Sequence, residues 1–103
     1  MWEFLRTLPS LREDINWKVI IFDNIIIENP ERSYFIPIFS KILKHEQIEH
    51  DDIRRLLDLI NSEIFIEKYN LLTEYDRQKF NLVEFKTEVI YLYLNPIFKK
   101  IIH

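Results

Sequence analysis

The sequence predicts an all-α protein, a compact bundle of four or five helices with short connections, and three observations carry that expectation. Apolar residues recur at three- and four-residue spacing over several stretches. Helix-capping residues stand ahead of those stretches. The punctuation between them is short, with no internal repeat, low-complexity tract or Ser/Gly linker. At 103 residues the chain suits one core, since two would each be too small to bury enough surface. A single helical domain spanning 1–103 is therefore expected.

The first helix is expected from Ser10-Leu11-Arg12-Glu13, which has the S-x-x-E form of a capping box directly after Pro9 and points toward Ile27. Within it, Trp17 to Ile27 admits two readings. As a helix, Leu11, Ile15, Val19, Phe22 and Ile26 share one side, while Ile20, Ile21 and Ile27 spill round it. As a hairpin, Lys18 to Phe22 and Ile25 to Glu28 flank an Asp23-Asn24 turn, which the β-branched residues favour. The cap and the spacing incline the choice to helix. Asn29-Pro30 then offers an N-cap followed by a proline suited to a first helical position. Pro37 makes Ser33 to Lys44 either a helix that starts late or one that is kinked.

The clearest helix begins near His50, where Ile53, Leu56, Leu57, Ile60 and Ile64 form one stripe and Arg54, Arg55, Asp58, Asn61 and Ser62 fall elsewhere. Glu49 stands as its cap, Ile48 as a staple, and Asp51 and Asp52 suit the first turn. Thr73-Glu74-Tyr75-Asp76 and Asn81-Leu82-Val83-Glu84 repeat the cap-plus-acid arrangement. After Asn81, Leu82, Phe85, Val89 and Leu92 lie on one face, and Asn95-Pro96 marks a further start.

Composition excludes several chemistries. The absence of Cys removes disulfides, thiol catalysis and Cys-type zinc sites, and fits a reducing, cytoplasmic setting. The absence of Gly removes the phosphate-cradling loops of P-loop and dinucleotide folds, whose backbone needs positive φ or close approach. No cofactor is expected. Acids and Pro9 come too early for a signal peptide, and no apolar run is long enough for a membrane span. The chain has no Ala, and Ile alone occurs 18 times, so nearly every apolar residue is bulky, a bias that fits an AT-rich genome.

His45-Glu46-Gln47-Ile48-Glu49-His50 is one residue longer than the His-Glu-x-x-His string of zinc proteases. Five-residue spacing turns the second imidazole about 140° away on a continuous helix, so both cannot grip one metal. Charged loop residues are the plainer reading, and no metal or catalytic residue is assigned. A helix-turn-helix regulator contacting nucleic acid through Arg54, Arg55 and Lys68 is the alternative function. It is weakened by Glu63 and Glu67 on the would-be recognition segment and by a net charge of −3, which repels phosphate. A third option is a hydrolase, which would need a cleft gathering His45, His50 and neighbouring acids.

What remains is surface. Leu59, Phe65, Ile66 and Tyr69 point away from the main stripe, and the last segment adds Tyr91, Tyr93, Leu94, Ile97, Phe98, Ile101 and Ile102. A small bundle has limited interior, so some of these large residues are expected outside, where Tyr, Phe and Ile match the composition of an interface. The expected function is a non-catalytic protein-protein interaction module, either a homodimer or an inhibitor or immunity-type binder of a basic protein. The expected contact residues are Ile66, Tyr69, Tyr91, Tyr93 and Phe98.

Overall fold

The structure is a computed structural model that describes residues 11–102, with side-chain surroundings for residues 14–95. Among the described residues six α-helices follow one another: α1 Leu11–Ile25, α2 Arg32–Leu43, α3 His50–Asn61, α4 Glu63–Asn70, α5 Glu74–Lys79 and α6 Leu82–Ile102. Five are of eight residues or more, α5 is a short six-residue turn, and no strand occurs among the described residues. The all-helical bundle is as the spacing implies. The Ser10 capping box lies outside the described residues.

The Trp17–Ile27 segment is helical through Ile25. It buries Ile21, Phe22, Ile25 and Ile26 and leaves Ile20 and Ile27 outside, so the spill of isoleucines is divided between core and surface. Asn29 does not cap a helix starting at Pro30. Its side-chain carbonyl accepts from the Glu31 backbone N–H at 2.8 Å, closing a local turn, and α2 begins two residues later at Arg32. α2 continues through Pro37 and buries Phe35, Ile38, Phe39 and Ile42 on one side. Because proline lacks an N–H, the Ser33 carbonyl loses its helical partner; both residues are exposed, where water can replace it.

α2 ends in a Schellman closure. The Glu46 N–H donates to the Lys41 carbonyl at 2.9 Å and the His45 N–H to that of Ile42 at 3.1 Å. His45 supplies the left-handed residue, φ 59°, in a chain with no glycine to place there.

α3 has Glu49 at its cap position and Asp51 and Asp52 in its first turn, and it buries Ile53, Leu56 and Ile60. The stripe stops there. The Ser62 hydroxyl donates to the Leu59 carbonyl at 2.6 Å and accepts from the Phe65 N–H at 3.3 Å, ending one helix and capping the next. This break corrects two expectations. Ile64, placed in the stripe by spacing, is 67% exposed, whereas Phe65, expected to point away, is buried. Leu59 is likewise partly buried against the core.

α5 is capped by Thr73, whose hydroxyl accepts from the Asp76 N–H at 3.2 Å, and the Asn81 side chain accepts from the Glu84 N–H at 3.0 Å. α6 then packs chiefly on α3, burying Phe85 and Val89, with Leu82 and Leu92 partly covered. Asn95-Pro96 does not start a new helix. The φ that proline fixes is already helical, so its one lost hydrogen bond leaves α6 running to Ile102.

Aromatic rings fill the centre. Phe22 stacks on Phe39 with centroids 4.0 Å apart, and Phe39 meets Phe80 at 5.4 Å and Phe85 at 4.8 Å. Phe65 closes on Phe22 at 5.8 Å. No polar or charged residue is buried among the described residues, so this interior is held by area and ring packing alone.

Candidate functional surface

Seven of the eleven exposed large apolar residues among those described fall in two places, with Ile27, Ile64, Ile66 and Leu71 elsewhere. α6 turns about 100° per residue, so a helix that buries Phe85 and Val89 presents Val83, Ile90, Tyr91 and Leu94 on its far side. All four are exposed, Val83 at 74% and Tyr91 at 64%. The second place is the outer face of α1 with α5, where exposed Trp17 meets exposed Tyr75 edge-on at 6.5 Å and Ile20 stands beside Trp17 one turn along. This second patch is absent from the sequence reading, since only tertiary packing sets α5 against α1.

The five expected contact residues separate. Tyr91 is freely exposed and Ile66 is 38% exposed. Tyr93 is half-buried, its ring stacked on His50 at 4.4 Å. Tyr69 is also half-buried and works inside the fold: its hydroxyl donates to the Phe80 carbonyl at 2.9 Å and accepts from the Leu82 N–H at 3.1 Å. That N–H is the first of α6 and has no partner within the helix. Phe98 belongs to α6, and its side chain lies outside the described residues.

The cations of the nucleic-acid alternative each have a neighbour. Arg54 lies 3.5 Å from Asp51, Lys68 lies 3.8 Å from Glu28, and Arg55 sits over the Tyr34 ring at 5.7 Å. Tyr34 in turn donates its hydroxyl to Asp52. That hydrogen bond, with desolvation, raises the phenol above its ordinary value.

His45 and His50 do line one open hollow of about 680 Å³, with Glu46, Glu49 and Asp52 on its wall. The imidazoles are engaged separately. His50 Nε2 stands 3.0 Å from the Tyr93 carbonyl, an acceptor that requires the proton on Nε2, and His45 lies 3.9 Å from Glu88. The lining contains no Ser, Thr or Cys that could act as nucleophile. Among the described residues no group of three or more His, Asp or Glu is placed to hold a metal ion. A second hollow of about 590 Å³, walled by Ile25, Ile26, Leu59, Ile64 and Phe65, opens at the Ser62 break with Lys68 and Glu28 at its edge.

Comparison with protein families, with curated proteins and with solved structures gives no match. No helix among the described residues is long and apolar enough to cross a membrane. The fold and surface therefore define the class, a small all-helical bundle with outward apolar residues.

Proposed function

We propose that this chain is a non-catalytic protein-binding module that works by association, through the outward apolar residues of α6. The observation that carries the reading is the far side of α6. Val83, Ile90, Tyr91 and Leu94 stay exposed on the side of α6 opposite the buried Phe85 and Val89. A row of large apolar residues along one outward helix face suits a surface that meets a partner. The net charge of −3 favours a basic partner, or a second copy whose contact is apolar.

The test uses the chain and its Tyr91→Lys variant as baits, with extracts and with the chain itself as prey. Retention of a specific protein by the wild type and its loss with the folded variant is expected. Equal retention by both would contradict the surface assigned.

A catalytic reading has one observation in its favour, the gathering of His45, His50, Glu46 and Glu49 at one hollow. With no Ser, Thr or Cys in that lining, the simplest form of it is water activation by an imidazole, with His50 as the base. Ester hydrolysis that vanishes in His50→Gln would support it, and its absence in the wild type would remove it. Nucleic-acid binding would appear as a salt-dependent mobility shift lost on replacing Arg54 and Arg55.

A further inference from the structure

One residue separates α3 from α4. Ser62 has φ −67° and ψ 147°, so its φ is already that of a helix and only ψ departs, by roughly half a turn. Neither glycine nor proline stands between His50 and Asn70, and the residues on both sides of Ser62 are helical. The break is therefore held by contacts and not by a residue that forbids a helix. Locally these are the two hydrogen bonds of the Ser62 hydroxyl, to the Leu59 carbonyl and from the Phe65 N–H. Turning that one ψ makes a single helix from His50 to Asn70, in which Ile64, left outside at the corner, falls into line with Ile53, Leu57 and Ile60.

The corner also divides the molecule by kind of bonding. Side-chain hydrogen bonds from Arg32 to Asp23 and from Tyr34 to Asp52 knit α1, α2 and α3 together. Those of Tyr69 with Phe80 and Leu82, and of Arg77 with Asn70 and Leu72, do the same for α4, α5 and α6. Among the described residues one such bond crosses between the halves, from His50 to the Tyr93 carbonyl, beside two charged contacts of 3.8 and 3.9 Å. The rest of that seam is apolar: Phe65 lies against Phe22, Phe80 and Phe85 against Phe39, and α6 along α3.

We propose that the Ser62 corner is a single-dihedral hinge through which two copies of the chain exchange their C-terminal halves, α4 to α6. Straightening carries Phe65, Phe80 and Phe85 off Phe22 and Phe39, and the surfaces so uncovered fit the opposite halves of another copy. The occupant is set by the chain's own core, apart from any partner of the far side of α6. Each exchanged half regains the seam it left. Closed monomer and exchanged dimer then differ chiefly at the corner, where the Ser62 cap favours the monomer and the continuous helix favours the dimer. Exchange needs the seam to open, so the two forms interconvert slowly and concentration selects between them.

The test refolds the full chain from urea at submillimolar concentration, dilutes it cold, and separates the products by size exclusion with light scattering. A dimer that persists on dilution and returns to monomer on warming is expected. Ser62→Ala loses the cap and gains helix propensity at two corners per dimer, and should raise the dimerisation constant at least about tenfold. Ser62→Asp keeps a capping oxygen and should stay at or below the wild-type level. Glu63→Pro suits the first position of α4 and holds the residue before it extended, so it should give monomer alone with unchanged helical circular dichroism. Ser62→Ala remaining monomeric, a dimer as abundant in Ser62→Asp as in Ser62→Ala, or one that survives in folded Glu63→Pro would each overturn the hinge. The variant Val83→Gln/Ile90→Gln/Leu94→Gln should exchange as the wild type does. A dimer lost in that variant would be a contact through α6, which overturns exchange and leaves the association reading standing.

Discussion

His45 is the one residue among those described that holds a positive φ, and it does so to finish α2. A non-glycine residue pays about 1–2 kcal/mol in the left-handed region, and a glycine loses roughly 0.5–1 kcal/mol of extra chain entropy on folding. The first term is larger, so His45→Gly should stabilise the fold by about 0.5–1 kcal/mol, seen as a higher urea midpoint. A lower midpoint would mean that the imidazole contributes through Glu88. Asp23 shows the reverse situation. Both its oxygens accept from the Arg32 guanidinium, at 2.5 and 2.7 Å, and this pairing holds the carboxyl below its ordinary value of 3.8 despite some desolvation. A lowered folded value means that the stabilisation is complete above pH 3.8 and fades as pH falls through the folded value. Acid unfolding curves of Asp23→Asn should therefore be flatter below about pH 4 than those of the wild type. Neither residue was legible in the sequence. A glycine-free chain gives no signal for a left-handed position, and in the sequence the Asp23-Asn24 pair suits a hairpin turn, with nothing to mark Asp23 as one half of an ion pair.

The helices themselves were legible wherever a cap and a spaced stripe agreed, as at Glu49 with Ile53 and at Asn81 with Phe85. They are ambiguous where one serine or one proline has two possible roles. Ser62 read as a polar position on a continuing helix, yet it both terminates α3 and caps α4. Ser62→Ala should cost about 1 kcal/mol, measured by thermal unfolding, and hydrogen exchange should quicken at the Phe65 amide that the hydroxyl accepts from. Proline at 96 read as a start and proves to be interior. Tyr69 read as surface because its neighbours gave no reason to bury it. Its partners, at Phe80 and Leu82, come from beyond the next helix and are invisible to spacing. Tyr69→Phe should lower stability by about 1–2 kcal/mol, the cost of orphaning groups at a helix start, and should leave association untouched. A folded, equally stable variant that no longer associates would return Tyr69 to the interface.

Across the molecule, a chain without Ala or Gly packs its centre from phenylalanine and isoleucine and leaves part of its isoleucine and tyrosine outside. Phe39 touches three other rings, and Phe39→Ala should cost about 3–5 kcal/mol, enough to consume much of the stability of so small a domain. The candidate surface was half legible. Composition and size imply that some large residues must stay out, and Ile66 and Tyr91 are among those exposed. The Trp17–Tyr75 patch and the outward row on the back of α6 needed the packing of α6 on α3 to show which side is outside.

The most direct measurement is equilibrium urea unfolding of the triple variant Val83→Gln/Ile90→Gln/Leu94→Gln, at a concentration where the wild type is monomeric. These side chains belong to a partner surface on this account, so the unfolding free energy should stay within about 1 kcal/mol of the wild type while association disappears. A variant that loses several kcal/mol, or does not fold, would show that the far side of α6 holds the monomer together and would contradict the account.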